Sequence, residues 1–222
     1  MTDAHCHILG DADRHFICLD PTADLPSLPS LPFIGVHPWN CADFGAAAVD
    51  AMRRVLEPNP RVGVGEIGLD RLKCRDISQT MRDAFAAQLG LAAEFRRPVV
   101  LHGAKCWGEV VGMCRPFANG AIPAFLFHGF SRSSGLLGEI AAMNGFVSIG
   151  PAILNDHAVN YRRLAAEIPE DILLVETDRT EENSATIPSI YKIVDFLAHL
   201  RGVPAESLAA RLEANADRFA LT

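Results

Sequence analysis

The sequence predicts an α/β fold, a (β/α)8 TIM-type barrel that is irregular or shortened around its first two strands. Three observations predict it. Of eight short β-rich runs, most are apolar nearly throughout, as strands buried on both faces are. Helical patterns separate the later runs, and such alternation implies parallel strands joined by right-handed crossovers. Ionisable residues recur where the runs end, and the carboxyl ends of barrel strands form the active face of this fold.

The first strand is "TDAHCHI". Strand periodicity sets Asp3, His5 and His7 in one polar row and Thr2, Ala4, Cys6 and Ile8 in the other, so the polar row is expected inside the barrel. Only "LGDADR" separates it from the second strand, "RHFICL", whereas a parallel crossover usually needs a dozen residues or more. The next connection, "DPTADLPSLPSLP", carries Pro21, Pro26, Pro29 and Pro32 and is excluded from regular helix. Two outer helices are therefore expected to be missing.

From the third strand, "PFIGVH", the alternation is regular. "DFGAAAVDAMRRVLE" reads as a helix with a cap candidate at Asp43. The fourth strand, "RVGVGEI", leads to the helix "DISQTMRDAFAAQLGLAAEFRR", capped by Asp76 or Ser78. "PVVLH", "AFLFH", "GFVSIG" and "ILLVET" complete the strands. Helices are expected near 107–118, 133–143, 156–167, 188–201 and 205–217, and Pro204 suits the first turn of the last one. No internal repeat or linker appears, so one domain is expected over residues 1–222.

Composition narrows the function classes. The chain has 222 residues, 49% hydrophobic and 21% charged, which suits a globular domain with a large core. No apolar run reaches membrane-spanning length, and the start lacks the basic and apolar regions of a signal peptide. The six cysteines are scattered without a C-x-x-C pair. Reduced thiols and a cytoplasmic location are the expectation. The formal charge of −7 argues against a broad surface for coating nucleic acid, but leaves room for a local basic rim. No obligate protein partner is evident.

The strand ends carry the chemistry. His5 and His7 end the first strand, Glu66 the fourth, His102 the fifth and His128 the sixth, and Asp178 follows the eighth. Ionisable groups at the ends of apolar strands are costly to bury unless paired or metal-bound. Four histidines and two carboxylates could hold two divalent cations, with Glu66 bridging. Imidazole and carboxylate donors accept Zn, Mn, Ni or Fe, and a nuclease could run on Mg or Mn.

Basic residues fall on loops of the same face: Arg71, Lys73 and Arg75 after the fourth strand, Lys105 after the fifth, Arg132 after the sixth and Arg179 after the eighth. Read as an anion-binding rim, they make Lys105 and Arg132 the main phosphate contacts, with Lys73 and Arg179 as further substrate contacts. Read otherwise, they serve solubility or pair with Asp70, Asp76, Glu181 and Glu182. His37 is expected to hydrogen-bond beside the site. Trp39 and Trp107 could stack on a base or sugar or pack against the barrel wall. Cys41, Cys74 and Cys106 could add a soft ligand. His15, His157 and His199 are expected at the surface.

These motifs resemble the TatD-related metal-dependent hydrolases, relatives of the amidohydrolases. "DAHCH", "GVHPW", "GEIGLD", "QTMRDAFAAQLGLAAEFRRPVVLH", "HGF" and "LLVETD" follow that family's order and spacing, and "LEANADRFAL" resembles its closing Asn-containing helix. The resemblance implies His5, His7, Glu66, His102, His128 and Asp178 as metal ligands, with Asp178 also taking a proton from the nucleophilic water. It implies hydrolysis of phosphoesters, with DNA ends or small nucleotides as substrates. Two departures bear on the substrate side: "HGAK" puts Ala104 where the family pattern has Arg, with Lys105 next to it, and "ETDRTEE" replaces "ETDAP" or "ETDSP".

Three other readings compete. One is lactone or amide hydrolysis of the amidohydrolase type, and one is a barrel that binds metal without catalysis. The third, a histidinol-phosphatase-like phosphoesterase, shares the opening H-x-H but does not fit "GEIGLD".

Overall fold

The structure, a computed structural model, describes residues 1–26 and 30–220. Pro29 and Leu221, which belong to two of the segments read above, lie outside the described residues. Eight strands follow in sequence: β1 (Thr2–Cys6), β2 (Arg14–Leu19), β3 (Leu31–Ile34), β4 (Gly63–Asp70), β5 (Val99–Ala104), β6 (Phe125–Phe127), β7 (Gly145–Ile149) and β8 (Leu173–Val175). They form one sheet in the order β1 to β8, each parallel to the next. The helices are α1 (Ala46–Leu56), α2 (Gln79–Phe95), α3 (Trp107–Cys114), α4 (Leu137–Ala142), α5 (Val159–Glu167), α6 (Ile190–Arg201) and α7 (Ala205–Ala220).

The early part of the barrel matches the expectation of missing helices. Residues 7–13 join β1 to β2 without a helix, and no helix occurs among the described residues between β2 and β3. The sheet curls until its edges meet. Asp178 N–H donates to the His5 carbonyl at 3.0 Å, and His7 N–H donates to the Arg179 carbonyl at 2.8 Å. Asp3 reinforces this seam by accepting from Thr177 N–H at 2.9 Å and from its hydroxyl at 2.5 Å.

Period-2 alternation sorts the strand residues into two cores. Phe16, Phe33, Val100, Leu126, Phe146 and Leu174 fill the barrel, and Ala216 and Phe219 of α7 close its lower end. The Phe219 ring lies 5.5 Å from Phe16, 5.7 Å from Phe33 and 5.8 Å from Phe146, centroid to centroid. Their neighbours along the strands, such as Leu101, Phe127 and Val147, join the helices in a larger outer core. Two residues beyond the interior apolar layer the inward row turns polar: Val100 leads to His102, Leu126 to His128, Phe146 to Ser148 and Leu174 to Glu176.

The regular alternation expected for β1 does not hold. Ala4 packs inside the barrel, although it was expected on the outer row. The register of β1 against β2 shifts between Asp3 and Cys6, which brings the adjacent residues Ala4 and His5 to the interior and sends Asp3 to the seam. A second shift, between Val64 and Ile67 of β4, surrounds Glu66. Gly68 follows with φ +149, and a Cβ there would stand 2.0 Å from the His102 carbonyl oxygen. Only glycine lets β5 approach β4 this closely.

Local capping corrects two further readings. Gly45 caps α1, not Asp43, which lies in a preceding 3-10 turn. Pro204 stands just before α7, where its carbonyl accepts from Leu208 N–H. Ser78 caps α2 by accepting from Met81 N–H. Asn215 of α7 is buried, and its amide donates to the carbonyls of Glu170 and Leu173 at 2.7 and 2.8 Å, tying the closing helix to the start of β8.

Candidate metal centre

Glu66 stands at the centre of the strand carboxyl ends, 4% exposed. Its two oxygens face different groups. Oε2 lies 3.4 Å from His5 Nε2 and 3.2 Å from His7 Nε2. Oε1 lies 2.6 Å from His102 Nδ1 and 2.7 Å from His128 Nε2. Asp178 joins the first group, with Oδ1 3.5 Å from His5 and 3.8 Å from His7. All six residues expected as ligands are thus brought together. His37 joins from the side, 3.4 Å from Glu66 Oε1, while its Nδ1 accepts from Trp39 N–H. Gln88 of α2 pins the neighbouring Val36 through both its N–H and its carbonyl.

Three side chains stand behind the ring: Glu176 and Cys18, to which the sequence gives no role, and Asp70, which it offers only as an ion-pair partner. Asp70 Oδ2 lies 3.1 Å from His102 Nε2 and accepts from the Trp39 indole at 2.7 Å, while Oδ1 accepts from the backbone of Leu72 and Lys73. Glu176 lies 3.5 Å from His128 Nδ1 and accepts from the Ser148 hydroxyl. Cys18 Sγ lies 3.5 Å from His5 Nδ1. Carboxylates that hold the outer nitrogen of a ligating histidine fix its ring and raise its basicity. Both carboxylates stand inside quoted motifs, Asp70 in "GEIGLD" and Glu176 in "LLVETD", so the motifs were the available signal.

The cluster shifts its own protonation. Burial pushes the Glu66 carboxyl up, but His128, His5 and the contact with His102 outweigh it and hold the group well below the usual carboxylate range. Burial and His5 push His128 down, while Glu66 and Glu176 carry it up to about 9. Burial likewise opposes ionisation of Asp178, yet its contact with His5 leaves it lowered. Burial dominates at Asp3, which rises to about 7.

The donor set fits divalent cations. His5 Nε2 is buried, has no hydrogen-bond partner among the described residues, and points at Glu66 and Asp178. Donor atoms each about 2 Å from a cation stand within about 4 Å of one another. The pairs around Glu66 and Asp178 span 2.6–3.8 Å.

The residues expected to contact substrate separate. Lys105 and Arg132 line a cleft of about 740 Å³ that reaches His102, His128 and Asp178. Both are exposed and form no ion pair among the described residues. Lys105, Arg132 and Asp178 also share left-handed backbone, with φ of 57°, 62° and 50°, a conformation that ordinary residues seldom adopt. Arg71 lines the same cleft but pairs with Glu109. Lys73 lies over the exposed Trp39 ring, 3.5 Å from its centroid. Arg179 is not brought to the cleft: its guanidinium donates to the Ser184 carbonyl at 2.6 Å and packs beside Gly10.

Of the aromatic alternatives, Trp107 takes the packing role, buried against Phe127 and Phe130. Cys106 donates to the Leu69 carbonyl, and no cysteine joins a ligand group among the described residues. His157 and His199 are exposed. His15, expected at the surface, is instead 5% exposed, because its Nε2 accepts from Gly10 N–H within the short β1–β2 connection.

A parallel eight-stranded barrel with imidazole and carboxylate donors gathered at its carboxyl face defines a metal-dependent hydrolase. The sequence model of the TatD related DNase family matches residues 26–220. The chain belongs to this family. It is 30% identical over 194 residues to the 3'-5' ssDNA/RNA exonuclease TatD of Pantoea vagans, covering 82% of this chain and 74% of that protein. It is 27% identical over 196 residues to the uncharacterized metal-dependent hydrolase YabD of Bacillus subtilis, covering 84% and 75%. The crystal structure of the TatD homologue YjjV from Escherichia coli superposes with a TM-score of 0.82 at 20% identity, covering 98% of this chain and 96% of that one.

Proposed function

We propose that the chain hydrolyses phosphodiester bonds at the 3' end of single-stranded DNA or RNA, using two divalent cations. The division of the Glu66 oxygens carries the two-cation reading: Oε2 faces His5 and His7, Oε1 faces His102 and His128. In this reading His5, His7 and Asp178 would hold one cation and His102 and His128 the other, with Glu66 shared between them. When bound, such cations would supply Lewis acidity and lower the pKa of water.

The chain's own residues do the rest. Asp178, with its side chain 51% exposed at the mouth of the cleft, accepts the proton of the attacking water. Lys105 and Arg132 hold the phosphate by charge. Asp70 and Glu176 keep the His102 and His128 rings oriented. The 3'-5' ssDNA/RNA exonuclease activity that names the Pantoea vagans relative supports the choice of bond and strand end. No helix among the described residues is long and apolar enough to cross a membrane. The six free cysteines support a reducing compartment, the cytoplasm.

The test is a substrate panel with added Mg, Mn or Zn: single-stranded oligonucleotides, a phosphomonoester and a lactone. Oligonucleotide cleavage from the 3' end is expected. In Asp178→Asn, metal is partly retained while kcat falls roughly 100-fold or more, the scale of losing general-base assistance. Lactone or phosphomonoester turnover without oligonucleotide cleavage overturns the reading.

A further inference from the structure

Two clefts open on the donor cluster from different sides, the larger at His102, His128 and Asp178 and the smaller at His7, His37 and Glu66, and they differ in charge. The larger one carries Lys105 and Arg132, both without an ion pair among the described residues, besides Arg71 paired with Glu109 and the carboxylate of Asp178. The smaller, about 350 Å³, lies between the ends of β2 and β3 and the start of α1 and also reaches His7, His37 and Glu66. Among the described residues no lysine or arginine lines it, whereas Asp20 and Asp43 do, beside the small side chains of Ala47 and Ala48. A third hollow, also about 350 Å³, adjoins the basic cleft: Arg132 lines both, and Asn160, Arg163 and Glu167 of α5 line the third one. Arg163 is exposed and forms no ion pair among the described residues.

We infer that the two sides of the donor cluster divide the substrate: the acidic cleft takes a single terminal nucleoside with a free 3'-hydroxyl, and the strand body runs over Lys105, Arg132 and Arg163. This deepens the phosphodiesterase reading and rests on it. The body of a single strand carries a charge at every residue and is held by basic grooves. The terminal nucleoside carries no phosphate beyond the scissile one. Its cleft sits at the small end of the range for ligand pockets, about 300–1,000 Å³, which suits one nucleoside and no longer segment. A terminal 3'-phosphate would place a dianion beside Asp20 and Asp43.

The test uses the metal-loaded full chain with a dinucleotide and with a strand of about a dozen residues, a length spanning several phosphate contacts. Each ends in 3'-hydroxyl or 3'-phosphate. The 3'-phosphorylated substrates are expected to react about tenfold more slowly, the scale of two like charges near the group. Asp43→Lys should reduce that gap to about threefold or less. In chelator, Arg163→Glu should weaken binding of the labelled long strand about tenfold by fluorescence anisotropy, with a smaller loss at high salt. Equal rates for both 3' ends, or unchanged binding by Arg163→Glu, overturns this division alone if the 3'-hydroxyl substrates are cleaved. Cleavage of none overturns the phosphodiesterase reading with it.

Discussion

Glu176 lies 3.5 Å from Nδ1 of His128, on the opposite side of the ring from Glu66, which lies 2.7 Å from Nε2. The imidazole is held between two buried carboxylates, one within the ligand ring and one behind it. Glu176→Gln keeps the size of the side chain but removes its charge. Loss of such an outer partner lowers metal affinity about 10–100-fold. Chelator-competition titration should show that loss with the circular dichroism spectrum unchanged. Unaltered affinity would show that Glu176 does not support ligation by His128.

Glu176 also marks the limit of what sequence alone could show. The six-residue ring was legible because five members stand at strand ends, where an ionisable group has no ordinary reason to stand, and Asp178 follows the last strand inside a family motif. The barrel order was legible from the same runs, and the missing early helices from the prolines and the short first connection. Asp70 was hidden because an acidic residue near a basic loop reads equally as a surface ion pair, and Glu176 because Asp178 two residues on takes the ligand role in the same motif. Only the fold shows them buried against His102 and His128. Ala4 was misplaced because a register shift breaks the period-2 rule locally, and composition carries no trace of it. The failure of Arg179 to reach the cleft depends on its bond to the Ser184 carbonyl, which no spacing rule predicts.

Phe219 tests the barrel itself. It closes the lower end against Phe16, Phe33 and Phe146, one layer beneath the polar row. Truncating a buried Phe to Ala costs about 3–5 kcal/mol through lost burial and the cavity left behind. Phe219→Ala should therefore lower Tm by roughly 10 °C in calorimetry, given about 2–4 °C per kcal/mol for a domain of this size. A change of only a degree or two would mean that the plug contributes little to the packing of the interior.

Glu66→Gln separates one bridged centre from two independent sites. Gln cannot offer two anionic oxygens, so both halves of the ring lose a charged donor in one substitution. Elemental analysis of protein purified without chelator should fall from close to two cations per chain to below one. Retention of one tightly held cation would assign Glu66 to a single site. Retention of both would remove it from the ligand set.

Lys105 separates attraction of the substrate from the chemistry. It lines the cleft beside His102, forms no ion pair among the described residues and does not join the ligand ring. Lys105→Ala should leave metal content unchanged. It should lower kcat/KM on a phosphodiester about tenfold, the order of one charge contact near a protein surface. The mechanism sets the salt dependence. An exposed charge acts over a Debye length of about 10 Å at 0.1 M salt and about 3 Å at 1 M, so the difference between wild type and variant should shrink as salt rises. A loss that persists at high salt would instead mean that Lys105 touches the reacting phosphoryl group directly. No loss at any salt concentration would leave Arg132 as the main phosphate contact of the cleft.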